Sequence, residues 1–92
     1  MYVKVRYLGL VYRVTGVFEE VIQLDDGATI HILFRIILDR YEGLSGLLFR
    51  GDGSLNPLYR VTVNGRDIEH LEGFDTKLSD GDVVAFIGPA GG

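Results

Sequence analysis

Residues Tyr2 to Leu8 alternate, with Val3, Val5 and Tyr7 on one face and Lys4, Arg6 and Leu8 on the other. A period of two over so short a run predicts a half-buried strand. Gly9 to Gly16 is short and apolar and ends in Thr15-Gly16, which suits either one helical turn or a wide hairpin connection. Val17 to Leu24 is rich in β-branched residues and predicts a second strand, closed by the turn chemistry of Asp25-Asp26-Gly27. The period then changes. Ile30, Leu33, Phe34, Ile37, Leu38 and Tyr41 recur at helical steps, and His31, Arg35, Asp39 and Glu42 form the opposite stripe. This predicts one long helix over Ile30 to Glu42, with Thr29 as its N-cap and Gly43 in the left-handed position after it. Ile32 and Ile36 fall outside both sets. They are either ordinary surface isoleucines or a flank that meets something else.

Leu44 to Arg50 has room for another helical turn, and Gly51 to Pro57 reads as a loop of glycine, Asp52, Ser54, Asn56 and Pro57. Leu58 to Val63 alternates again as a strand. Asn64-Gly65 is a strong hairpin signal, because a type I′ turn needs positive φ at both central residues. Arg66 to Ile68 is the short return strand. Asp80-Gly81 turns the chain into a last strand, Asp82 to Ile87, with Val84 and Phe86 opposite Val83, Ala85 and Ile87. Pro89 cannot donate to a ladder, so the strand ends there. The order β-β-α-β-β-β predicts an α+β domain over residues 1–87, a mixed sheet of four to five strands packed on one main helix. Residues 88–92 are expected to form a flexible C-terminal diglycine tail.

Composition narrows the chemistry. Hydrophobic residues make up 47% of the 92 positions and charged residues 24%, the balance of one small folded core rather than a disordered chain. The absence of cysteine excludes disulfides, thiolate metal sites, cysteine-ligated iron–sulfur clusters and a cysteine nucleophile. A net charge of −4 argues against nucleic acid as a general ligand and against anionic membranes, and suits partners with basic surfaces. No apolar run approaches the ~20 residues of a membrane span, and no signal-peptide pattern opens the chain. A soluble cytoplasmic domain is expected. No phosphate-binding loop, nucleophile elbow or H-E-x-x-H helix is present. His31 and His70 read as surface residues, Asp80 and Asp82 as turn formers, and Arg50-Gly51-Asp52 as a loop coincidence.

What remains is the stretch Gly88, Pro89, Ala90, Gly91 and Gly92. A tail without side chains can lie extended in a narrow channel, because no Cβ obstructs close approach of the backbone. A proline at its root reduces the entropy lost on threading. The reactive group would be the Gly92 carboxylate, which acylates only after coupling to a phosphate leaving group. The chain binds no cofactor of its own on this reading, so another protein must supply ATP and magnesium. Five residues after Ile87 would reach at most roughly 17 Å, at about 3.3–3.6 Å per residue.

Four stretches carry a resemblance to a known family: Lys4-Val5-Arg6-Tyr7-Leu8, Leu24-Asp25-Asp26-Gly27-Ala28-Thr29, Val61 to Ile68, and Asp75 to Phe86 followed by the diglycine. The chain resembles the ubiquitin-like β-grasp sulfur carriers, which include the small subunit of molybdopterin synthase and its thiamine-pathway relatives, and the small archaeal ubiquitin-like modifiers. The resemblance implies that an E1-like activating enzyme adenylates Gly92 and that sulfide equivalents convert it to a thiocarboxylate. The large catalytic subunit of molybdopterin synthase would then accept the tail for molybdopterin or tungstopterin synthesis. In that role the chain is a sulfur-donor subunit, not catalytic alone. The alternative implied is a protein modifier joined through Gly92 to lysines of target proteins. A third reading, a β-grasp interaction module with an incidental diglycine, shares the pattern. By resemblance Gly91 and Gly92 are the reactive tail, and Leu8, Ile87, Phe86 and Pro89 are the partner-binding positions. The sequence departs from the family in two places. Gly88-Pro89-Ala90 is about one residue shorter than the usual double-proline run, and Asp67 stands where some relatives carry an exposed apolar residue.

Overall fold

The computed structural model of the protein describes residues 1–90. Its elements follow in the order β1 (Tyr2–Leu8), α1 (Leu10–Thr15), β2 (Glu19–Gln23), α2 (Ile30–Arg40), α3 (Leu44–Leu48), β3 (Arg60–Val63), β4 (Arg66–Asp67) and β5 (Val83–Ile87). Short 3₁₀ turns at Ile68–His70 and Gly73–Asp75 lie between β4 and β5. The strands form one sheet in the order β2-β1-β5-β3-β4. β1 and β5 are parallel, and the other neighbours are antiparallel. This is the mixed sheet on one main helix that the pattern predicts, in the β-grasp arrangement that the resemblance implies. The two short apolar stretches left open, after Gly9 and after Gly43, are both helical.

Alternation places Val3, Val5, Tyr7, Val61, Val84 and Phe86 on one face of the sheet, each no more than 1% exposed. Ile30, Leu33, Phe34 and Ile37 of α2 cover that face, and Val11, Leu44 and Leu48 close its ends. Phe34 is the hub. Its ring meets Phe86 edge-on with centroids 5.1 Å apart, and it also contacts Phe74 at 5.2 Å and Phe49 at 5.7 Å. Such pairs contribute about 0.5–1.5 kcal/mol each beyond the area they bury.

Several boundaries differ from the expected ones for identifiable reasons. α2 stops at Arg40 because Tyr41 is extended (φ −117°, ψ 100°). Gly43 is left-handed as expected (φ 88°), but it opens α3 rather than closing α2. β3 begins two residues late, since Asn56 holds Leu58 by its side chain and Tyr59 by its carbonyl, at 3.0 and 2.9 Å. β4 ends at Asp67, whose carboxylate accepts from the Glu69 N–H at 2.9 Å and caps the 3₁₀ turn that buries Ile68. The type I′ turn is as predicted, with φ 51° at Asn64 and 84° at Gly65.

One polar cluster has no counterpart in the sequence reading. Glu20 lies on β2 opposite Val5, on the helix-facing side of the sheet. Its carboxylate accepts hydrogen bonds from the Tyr7 hydroxyl at 2.6 Å, from the Tyr41 hydroxyl and from the Arg40 guanidinium. Burial alone would raise the Glu20 pKa, but the bonds from Tyr41, Tyr7 and Arg40 together outweigh it and hold the carboxyl below the usual range. Burial and the Glu20 charge push both tyrosine hydroxyls upward. The cluster ties β1, β2 and the end of α2 to one another, and it explains why Tyr41 turns back toward the sheet.

A lowered pKa in the folded chain means that Glu20 stabilises the fold above the ordinary glutamate range, and that this stability is lost as pH falls through the lowered value. Glu20→Gln is expected to cost about 1.5–3 kcal/mol near pH 7, the usual worth of hydrogen bonds to a charged group. Urea unfolding should show the gap between the wild type and Glu20→Gln narrowing as the pH is brought from about 7 to about 3.

Candidate functional site

The strands at the centre of the sheet end together. Leu8, the last residue of β1, stands directly opposite Ile87, the last residue of β5, and Ile87 also faces Arg60 on β3. Alternation turns Leu8 and Ile87 away from α2, because Tyr7 and Phe86 beside them point into the core. Both remain partly exposed. The two expected apolar positions are therefore one contiguous patch on the open face of the sheet.

Phe86 is not part of that patch. It is fully buried, stacked on Tyr7 at 5.9 Å and edge-on to Phe34. Expecting it among the partner-binding residues is corrected by the pleat, which sends adjacent residues to opposite faces. Phe86 supports Ile87 from behind.

The expected tail boundary also moves. Gly88 N–H donates to the Leu8 carbonyl at 3.1 Å, and the Pro89 carbonyl accepts from Leu10 N–H at 2.9 Å. Gly88 and Pro89 are thus tied to the β1–α1 connection instead of starting a flexible tail. Pro89 is partly buried and Ala90 is exposed. Gly91 and Gly92, the expected reactive residues, lie outside the described residues.

The surroundings add features that the family resemblance does not assign. Tyr12 and Phe18 are 45% and 57% exposed, pack edge-to-face at 6.4 Å, and line a shallow recess with Leu8, Gly9 and Arg13. The signal was the pair Val17-Phe18 after Gly16, which lies outside β2 and so is freed from its alternation. Arg60 pairs with Asp67 at 3.0 Å beside Ile87, and Arg6 pairs with Glu19 at 2.9 Å beside Leu8. Asp67, the departure from the family pattern, accepts from both Arg60 and Glu69 N–H, so its carboxylate is engaged within the fold. Asp80 accepts from Tyr2 N–H at 2.8 Å, and Asp82 accepts from Ser79 N–H at 2.8 Å and Asn64 Nδ2 at 2.9 Å. Asp52 bonds the Ser54 hydroxyl and N–H at 2.6 and 3.0 Å, which holds its carboxyl below the usual range. His31 and His70 are exposed and far apart in the chain. Among the described residues no helix is long and apolar enough to cross a membrane.

The model of the ThiS family matches residues 5–92. The chain belongs to the ThiS family. This ThiS-family chain is 35% identical over 92 residues to small archaeal modifier protein 3 of Haloferax volcanii, covering 100% of this chain and 99% of that protein. It is similar to the solution structure of the Haloferax volcanii HVO 2177 protein, with a TM-score of 0.82 and 35% identity over 100% of this chain and 86% of that one. A Pyrococcus furiosus structure, named for subunit 1 of a molybdopterin converting factor, is 32% identical with a TM-score of 0.74. That similarity covers 97% of this chain and 98% of the other. Sulfur carriers and archaeal modifiers of ubiquitin-like fold are therefore its relatives.

The opposite roles of two adjacent residues are testable by stability alone. Phe86→Ala should cost about 3–5 kcal/mol through the cavity left between Tyr7 and Phe34. Ile87→Glu should cost no more than about 1 kcal/mol, because its side chain faces outward beside Arg60. Guanidinium unfolding of the two variants checks both values.

Proposed function

We propose that this ThiS-family protein is a sulfur carrier for molybdopterin or tungstopterin synthesis, acting through the carboxylate of Gly92. The observation that carries the reading is the placement of the tail root. Pro89 sits at the joint end of the two central strands, beside the outward-facing pair Leu8 and Ile87. An activating enzyme that docks on Leu8 and Ile87 thereby meets the start of the tail at a fixed position. That enzyme supplies ATP and magnesium. The carboxylate displaces pyrophosphate to form an acyl-adenylate, and a sulfide nucleophile then displaces AMP, leaving sulfur in place of one oxygen. The large subunit of molybdopterin synthase takes up the thiocarboxylate tail. The match of the family model through residue 92 and the Pyrococcus furiosus relative support this assignment.

A second reading has its own support. The Haloferax volcanii relative aligned over the whole chain is named as a modifier. In that role the same adenylate is attacked by a lysine amine of a target protein. Self-chaining is limited to Lys4 and Lys77, and Lys4 lies near Glu19 at 3.8 Å.

Intact mass of the protein from native cells separates the two. Exchange of one oxygen for sulfur at the C-terminus identifies a carrier, and a ladder of covalent adducts identifies a modifier. Adding one residue after Gly92, or deleting Gly91 and Gly92, is expected to abolish ATP–pyrophosphate exchange with the activating enzyme while the fold persists. Unchanged exchange in the extended chain would refute the role of the terminal carboxylate. Ile87→Glu should weaken binding to that enzyme by about 2–5 kcal/mol, the usual effect of an unpaired charge in an apolar contact, measured by titration calorimetry.

A further inference from the structure

Residues Gly9, Leu10 and Tyr59 are absent from the partner-binding positions above, yet each meets the root of the tail. Gly9 has φ 68° and ψ −138°, a backbone region nearly restricted to glycine. A Cβ placed there would lie 2.4 Å from the Pro89 carbonyl oxygen and 2.5 Å from that of Gly88. Both obstacles are backbone atoms, so no rotamer change relieves them. Leu10 supplies the N–H that holds the Pro89 carbonyl. On the other side, a Cβ on Gly88 would come within 2.7 Å of the Tyr59 ring and 3.4 Å of Val11 Cγ2. Tyr59 is only 5% exposed and is set in the core, so its ring forms a wall rather than a mobile cover.

We propose that Gly9, Leu10 and Tyr59 form a clamp that fixes the chain at Gly88-Pro89 and so sets the direction and reach of the tail during activation. This rests on the functional reading above. The clamp leaves Ala90, Gly91 and Gly92 beyond the fixed point, a reach of at most about 10–11 Å instead of roughly 17 Å from Ile87. A fixed root delivers the carboxylate to one place relative to Leu8 and Ile87, and a loosened root spreads it over many. Gly9, Leu10 and Tyr59 are positioning residues, not catalytic ones.

Two variants remove the clamp by different routes. Gly9→Ala introduces the clash with the Gly88 and Pro89 carbonyls. Leu10→Pro removes the N–H at the first position of α1, where proline is tolerated. In both, amide exchange of the residues flanking the root and ¹⁵N relaxation at Gly88 and Ala90 should report a freed segment, while Val5 and Phe86 amides keep their protection. In Gly9→Ala the Leu10 amide itself should lose protection by about tenfold or more. With the activating enzyme, kcat for ATP–pyrophosphate exchange should fall up to about a hundredfold, the effect of a misplaced reacting group. KM for the carrier should stay within about twofold, since Leu8 and Ile87 are untouched.

Wild-type Leu10 protection in Gly9→Ala would overturn the clamp. A freed root with unchanged kcat would overturn its role in positioning, as would a rise in KM matching the loss in kcat. A wild-type chain that the activating enzyme does not adenylate counts against the functional reading, and the exchange and relaxation data then judge the clamp on their own.

Discussion

Lys4 to Leu8 pair in parallel with Val83 to Ile87, which joins segments from opposite ends of the chain at the middle of one sheet. This pairing spans nearly the whole chain, and it determines where everything else goes. It buries Val5, Tyr7, Val84 and Phe86 under α2, and it brings Leu8 and Ile87 out together on the other side. It also delivers Gly88 and Pro89 to the carbonyl of Leu8 and the N–H of Leu10. A contact so distant in sequence forms only after its loop-closure entropy has been met, so the core and the tail root are expected to mature in the same late step of folding.

What the sequence made legible was local or periodic. The alternation of Val3, Val5 and Tyr7, the helical spacing of Ile30 through Ile37, and the Asn64-Gly65 turn each follow from a short-range rule, and each is found. The apolar patch at Leu8 and Ile87 was legible by resemblance. The inclusion of Phe86 failed for a reason visible in the alternation itself, which sets it opposite Ile87. Other features lay beyond reach because they join residues distant in the chain. Nothing near Glu20 announces that Tyr7, Arg40 and Tyr41 will converge on it. Nothing near Gly9 announces Pro89. Asn56 and Asp67 shortened two strands by side-chain bonds to the backbone, a competition that periodicity does not register.

The acidic balance of the chain suggests basic partner surfaces, and several of its carboxylates also hold turns or strands together through hydrogen bonds while keeping their charge. Asp52, Asp67, Asp80 and Asp82 accept backbone N–H bonds in turns, and Glu20 is enclosed by two tyrosines and an arginine. Around Leu8 and Ile87 two pairs of opposite charge, Arg6 with Glu19 and Arg60 with Asp67, stand beside Arg13 of the neighbouring recess. Net charge therefore says little about the patch. Its character comes from apolar side chains bordered by ion pairs at the surface, where such pairs add little attraction.

The Glu20 cluster has a consequence for life at high concentration. A five-stranded open sheet has two edges, and an unpaired edge is a template on which another chain can add a strand. At one edge β4 is only two residues long and offers little to pair with. At the other, β2 carries Glu19 and Glu20 side by side, with Glu20 turned inward against the helix layer. A second molecule stacking on β2 would have to cover that charge and its arginine without disturbing either tyrosine. An inward-facing, fully bonded carboxylate on an edge strand is a barrier to aggregation as much as a brace for the fold, and it guards an edge where Phe18 and Val21 leave apolar surface open.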